Sequence, residues 1–232
     1  MWTTRIDWAE HELATRILGG ELAPGTKLKA QDLAEAWDVS PTPIREALQR
    51  LTATGLVEAV PNRGMRVAPI VAEELREVYG LRLLLEPFAL RATLEARPPG
   101  WEVEVNRSFD ELEAAFARAP ADLVAFESAH AAFHKALVGR AAETWLTRFV
   151  ETLRAHTTRY RLQSVSLRGG WDGVLEEHRR LRDACLGDDV DAAVAMLFEH
   201  IRVTVDAVGE PGDVEQIVER IEAVGRHAHA LS

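Results

Sequence analysis

Four of the eight histidines in this 232-residue chain sit at spacings that can bring imidazole nitrogens together. His130 and His134 are four apart, so on a helix they share one face and can reach one ion. His178 and His200 flank Gly187-Asp188-Asp189, and their midpoint, residue 189, falls inside that turn. Residues equidistant from the turn of an antiparallel helix pair lie at the same height, which lets the two rings face each other across a bundle. Nitrogen ligands suit Zn, Ni, Cu, Fe or Co rather than Mg or Ca, and Zn or Ni is the first expectation. A metal with open positions can also activate water, so a helical metal hydrolase or oxygenase is a rival reading. No glutamate is tied to these helices as an evident general base, which disfavours it. A regulator that senses the ion itself is a further alternative. His11, His156, His227 and His229 have no matched partner and read as surface or capping residues.

A second set of residues offers a different chemistry. Ser40 precedes Pro41 and reads as the N-cap of a helix over 41–54, whose positive dipole end favours phosphate. Thr42 is small enough for close approach, and Arg45, one turn on, can pair with guanine O6 and N7 in a major groove. Arg63 and Gly64, with Asn62, form a hairpin tip suited to a minor-groove or phosphate contact. Lys29 and Gln31, with Lys27, are placed for backbone contacts beside a short helix over 30–37.

The elements that must position these residues follow from periodicity. A helix carrying Ile6, Leu13, Ile17 and Leu18 ends at Gly19-Gly20, and two further helices follow, the last stopped at Gly55. Two short strands, 56–60 and 65–68, flank Pro61-Asn62-Arg63-Gly64. Helix, helix, turn, helix and hairpin is the order of a winged helix-turn-helix over residues 1–70. From 73 to 232 no strand signal is found; helices are expected at about 73–95, 101–118, 121–138, 142–167, 172–186, 189–208 and 213–229, with breaks that include Pro120 and Pro211. The fold class is therefore mainly α: an N-terminal winged helix-turn-helix plus a C-terminal all-helical bundle, large enough to enclose a pocket. Residues 213–232 read as a closing helix or a dimer extension.

Charge follows the same division. The chain has 27 Lys+Arg against 37 Asp+Glu, net −10, yet residues 1–70 hold 8 and 9. A negatively charged partner should therefore meet the first third. Cys185 is the single cysteine, which excludes an intrachain disulfide and a cysteine-based zinc cluster. The amino terminus lacks the apolar core of a signal peptide, and no apolar run approaches the ~20 residues of a membrane span. A cytoplasmic protein without a membrane partner is expected.

Two groups of residues carry a family resemblance. Leu22-Ala23-Pro24-Gly25-Thr26-Lys27-Leu28, Leu33-Ala34, the run from Val39 to Leu51, Gly55-Leu56-Val57 and Arg63-Gly64 resemble the GntR family of bacterial transcription regulators. The resemblance implies operator contacts by Thr42, Arg45, Arg63 and Gly64, and departs at Pro41, where the family commonly has Arg. Arg82-Leu83-Leu84-Leu85-Glu86, Phe133-His134, Glu177-His178 and Met196-Leu197-Phe198-Glu199-His200 resemble the FadR-type subfamily, whose effector domain is called FCD. That implies a helical bundle binding a small metabolite, usually an organic acid, over a metal held by one Asp and three His. His134, His178 and His200 match the three histidines, and His130 stands at the Asp position. Losing that carboxylate leaves an ion with its full charge and a stronger pull on an anionic effector, or else leaves three ligands and more open positions. Arg82 is a further effector-binding candidate, although an ion pair with Glu86 four residues on is the favoured reading. The expectation is a ligand-responsive regulator, with repression the expected sense, and not an enzyme. One head covers little DNA, so a homodimer reading two half-sites is expected.

Overall fold

Two large apolar cores, with a small third cluster of Ala89, Val138 and Val150, organise the described residues. The computed structural model describes residues 4–119, 121–138, 144–210 and 212–230, with the side chains of 222 and 224–230 left out. Pro120, Pro211 and the first residues of the expected 142–167 helix lie outside these, as do the side chains of His227 and His229. The first core belongs to a small head: α1 (Arg5–Leu18), β1 (Lys27–Leu28), α2 (Ala30–Ala36), α3 (Pro41–Ala53), β2 (Val57–Val60) and β3 (Gly64–Val67). Ala9 and Leu13 of α1, Ala34 of α2 and Ile44, Ala47, Leu48 and Leu51 of α3 are buried together there. Their spacing of three and four on each helix is what turns one face inward.

The wing is a three-stranded antiparallel sheet of order β1-β3-β2. Val57 pairs with Val67 and Val60 with Gly64 across the hairpin, while Lys27 pairs with Arg66 on the other side. Asn62 takes the left-handed backbone (φ 59°) that such a tight reversal requires and Asn tolerates. The edge strand β1 is absent from the sequence reading. Two residues are too few to show alternation, and only pairing with β3 makes them a strand.

The second core belongs to a body of eight helices among the described residues: α4 (Ala72–Ala96), α5 (Trp101–Phe116), α6 (Leu123–Leu137), α7 (Trp145–Ala155), α8 (Thr158–Leu167), α9 (Val174–Leu186), α10 (Val190–Val208) and α11 (Asp213–Ala230). Tyr79, Phe109, Phe133, Tyr160 and Leu197 are at its centre. α10 packs along α4, and α5 packs against α6. α11 closes the bundle: Val214 and Ile217 join the core, and Asp213 pairs with Arg76 at 3.1 Å. No helix among the described residues is long and apolar enough to cross a membrane.

The expected single helix over 142–167 is two, α7 and α8, broken at His156-Thr157. Side chains take over the carbonyls there. Thr157 Oγ1 donates to Arg154 O at 2.8 Å, and Arg159 Nη1 donates to His156 O at 2.9 Å. These bonds compete with the helical ladder.

The same break holds the head. Arg159 donates from Nε to Pro69 O (3.1 Å) and from Nη1 to Gly55 O (3.0 Å), and it pairs with Glu74. Tyr160 Oη donates to Val71 O at 3.1 Å. One largely buried guanidinium thus ties the end of the recognition segment, the connecting segment after β3 and the body together. Gly55 follows α3 in a left-handed turn (φ 67°), with Leu56 N–H bonded back to Leu51 O at 3.2 Å. A Cβ on Gly55 would meet His156 Nδ1 at 2.7 Å and Cα at 2.9 Å. Gly55→Ala should therefore destabilise the protein by about 1–2 kcal/mol and lower Tm by roughly 3–8 °C in scanning calorimetry. An unchanged Tm would mean the head does not seat on His156.

Candidate functional site

The four histidines converge. His130 and His134 lie one turn apart on α6, His178 comes from α9 and His200 from α10, and each offers a ring nitrogen within 4.8 Å of the others. Ring centroids are 4.5 Å apart for His130–His134, 4.6 Å for His178–His200 and 5.1 Å for His134–His200. The Asp189 side chain caps α10 by accepting from Ala192 N–H at 2.9 Å. It starts that helix in the register that sets His200 opposite His178.

Their chemistry is that of waiting ligands. His130, His134 and His178 are almost wholly buried. His130 Nε2, both nitrogens of His134 and His178 Nε2 have no hydrogen-bond partner among the described residues. His178 Nδ1 lies 2.7 Å from Val174 O, which fixes the tautomer with Nε2 as the free acceptor. Burial, reinforced by mutual repulsion of any positive charge, holds His130, His134 and His200 well below the ordinary histidine range; burial, with the Arg161 charge adding to it, takes His178 down to about 4 despite its bond to Val174 O. Four neutral imidazoles, each with a ring nitrogen within 4.8 Å of the others, are a donor set that fits a divalent transition metal.

Cations surround this cluster. Arg82 Nε pairs with the fully buried Glu86 at 2.6 Å, as the spacing suggests, and Arg82 also lines the cavity beside His130 and His134. Glu86 is shared: Arg154 Nε donates to its other oxygen at 2.9 Å. Burial would raise Glu86, but Arg154 and Arg82 hold it below the usual carboxylate range. Arg161 pairs with Glu127, and burial lowers its guanidinium to about 10. Arg154 Nη1 and Arg161 Nε are buried without partners. Three guanidiniums against two carboxylates leave one net positive charge at the cavity floor. Sequence reasoning missed Arg154, Arg161 and Glu127. Arg154 and Arg161 are seven residues apart, a same-face signal on any helix, but nothing in that spacing shows that their carboxylate partners, Glu86 and Glu127, lie on α4 and α6.

On the head, Lys27, Lys29, Arg45, Arg63 and Gly64 line one hollow between α3 and the wing. Arg45 and Arg63 are exposed and form no ion pair among the described residues, whereas Lys29 pairs with Asp32 at 3.2 Å. Gln31, Ser40 and Thr42 are exposed outside that lining. Ser40 occupies the N-cap position of α3, but its hydroxyl makes no capping bond. The cap would serve the N–H of the second or third helical residue, and Pro43, in third place, has none.

A head of this kind on a helical body with a buried ligand cluster defines a two-domain regulator that reads DNA. Residues 6–67 match the profile described as bacterial regulatory proteins, gntR family, and residues 77–203 match the FCD domain. The chain belongs to the GntR family of bacterial transcription regulators, with an FCD domain as its body; it is a regulator, not an enzyme. It is 32% identical to the HTH-type transcriptional regulator BphR of Paraburkholderia xenovorans (strain LB400), covering 89% of this chain and 86% of that one. It is 26% identical to the HTH-type transcriptional repressor GlaR of Escherichia coli (strain K12), covering 84% and 92%. The fold is shared with E. coli McbR/YncC (TM-score 0.64, 21% identity, 89% and 98% covered). It is shared equally with a GntR regulator from Rhodococcus sp. RHA1 (TM-score 0.65, 23% identity, 94% and 99% covered).

The buried histidines make the metal-free protein acid-sensitive. Between the unfolded value near 6.5 and the lowered folded values, the unfolded chain binds protons that the native cluster refuses. Stability is then lost as pH falls, by about 1.4 kcal/mol per pH unit for each such histidine. Thermal unfolding of chelator-treated protein from pH 7.5 to pH 5 should show a steep drop in Tm below about 6.5. A flat profile would mean the rings are solvated.

Proposed function

We propose that this regulator is a repressor whose operator affinity is set by a small carboxylate metabolite bound beside a divalent metal, Zn or Ni, in the helical body. The observation that carries the reading is the convergence of four imidazoles, three of them with buried nitrogens that lack a partner among the described residues, two of which, His130 and His134, line a cavity. His130, His134, His178 and His200 would hold the ion, which supplies a Lewis-acidic charge for a carboxylate. Arg154 and Arg161 would bind the effector's remaining oxygen through their unpartnered N–H groups, and Arg82 would steady Glu86 behind them. Repression is supported by likeness to the repressor GlaR and to the gluconate operon transcriptional repressor of Bacillus licheniformis.

Operator reading falls to the face that holds Lys29, Gln31, Ser40, Thr42, Arg45, Arg63 and Gly64. Arg45, unpaired on the outer side of α3, reads a guanine edge; Arg63 and Gly64 follow the wing to the phosphates. Two copies act together. Leu81, Leu84 and Phe88 form an exposed apolar stripe on α4, and Trp145 and Phe149 form another on α7, which packs against it. Phe88 is 64% and Trp145 73% exposed, more apolar surface than a monomer ordinarily leaves to water. A second copy covering these stripes sets two heads on one duplex.

Metal analysis of purified protein tests the anchor. One ion per chain is expected, and His130→Ala should weaken its retention by about 10–100-fold against a chelator; unaltered retention removes His130 from the ligands. Arg45→Ala should weaken operator binding by about 1–3 kcal/mol and relax preference at one base pair, read by titrating a set of single-base operator variants. Equal losses across all variants would make Arg45 a phosphate contact instead.

A further inference from the structure

The cavity that ends at the histidines is not contained in the body. It measures about 580 Å³, and its outer wall belongs to the head: Ala14 and Leu18 of α1, Leu51 of α3 and Leu56 beyond it. Val124, Ala131 and Ala155 face them from the body. α1 lies against α6 along this cleft, and Val124 packs onto the head's own core. One space therefore runs from the imidazoles to the DNA-reading domain.

Charge changes sign along it. The floor has the unpartnered nitrogens of Arg154 and Arg161. On the head side, Asp7 and Glu10 line the cavity and both pair with Arg50, at 3.0 and 3.1 Å, while the Lys135 and Glu151 that also line it pair with each other, so carboxylates outnumber guanidiniums at this end. Between the two ends the walls are largely alanine, leucine and valine. A polar body there would forfeit hydrogen bonds to water without replacing them. A second carboxylate at the far end would meet Asp7 and Glu10. A short acid would fill little of a space in the ~300–1,000 Å³ range of pockets for drug-sized ligands.

Building on the carboxylate anchor proposed above, we infer that the effector is an amphipathic monocarboxylate whose uncharged apolar body lies in the cleft between α1 and α6 and touches the DNA-reading head directly. The head group supplies the anchor. The body supplies the signal, because its contacts with Ala14, Leu18 and Leu51 exist only while the head is docked.

The test uses the full-length zinc-loaded protein and four probes: acetate, hexanoate, 4-phenylbutyrate and the dicarboxylate adipate. Calorimetric affinity should rise about fourfold for each methylene buried, putting hexanoate and 4-phenylbutyrate at least tenfold above acetate. Adipate should gain nothing over acetate. Hydrogen exchange in α1 should slow with hexanoate and not with acetate. Ser128→Trp, at an exposed position of α6 that lines the cleft, should abolish the gain from the longer body and leave zinc and acetate binding unchanged. Leu18→Asn should do the same from the head side. If acetate binds and affinity is flat across the series, or if both variants keep the full gain, the bridging body is overturned and the anchor stands. If no carboxylate binds, both are overturned.

Discussion

Placing four imidazoles together in an apolar bundle, with ring nitrogens of His130, His134 and His178 left without a partner among the described residues, is the constraint around which the body is organised. Each buried ring nitrogen without a partner gives up hydration worth about 1–3 kcal/mol, and a proton on any ring would be repelled by its neighbours and by three guanidiniums. The bundle tolerates this because the charged groups around the rings are paired with one another. Glu86 is clamped between Arg82 and Arg154, Glu127 is paired with Arg161, and His178 is steered by Val174 O. These buried pairs are weak sources of net stability, but removing one partner strands the other charge. They hold the rings in place at the cost of intolerance to change.

The junction between the domains rests on the same segment. The break that separates α7 from α8 points Arg154 and Arg161 toward the histidines and Arg159 toward the head. A movement of α8 caused at the cavity floor is thus felt at Gly55 O and Pro69 O without an intermediate chain of contacts. Allosteric coupling needs an element with two arrangements that both sites bias. The short helix α8, bounded by side-chain bonds rather than by a long ladder, is well suited to that part.

Much of this was legible in the sequence, for physical reasons that differ by element. The histidine convergence was readable because a helical turn fixes His130 against His134 and because a symmetric hairpin of helices fixes His178 against His200. The recognition helix was readable from Ser40-Pro41 and Gly55, since chain reversal and helix ends have local chemistry. β1 and the α7–α8 break were not: β1 exists only through pairing with β3, and the break is made by side-chain bonds of Thr157 and Arg159 and by the seated head, none of which apolar periodicity records. Arg154 and Arg161 were hidden for the same reason. The cleft between α1 and α6 has no sequence signature, since alanines and leucines at helical spacing read as core whether they face a neighbour or a ligand.

Pro41 and Pro43 together give the recognition helix an unusual leading end. Each ring fixes its own φ near the helical value, so the first turn is already shaped before any duplex arrives, and little backbone disorder is surrendered on docking. The same rings delete two of the backbone N–H groups that would otherwise grip a phosphate. The leading turn is stiff and poor in donors, so on a duplex it would act by shape and leave hydrogen-bonded contacts to side chains farther along the helix.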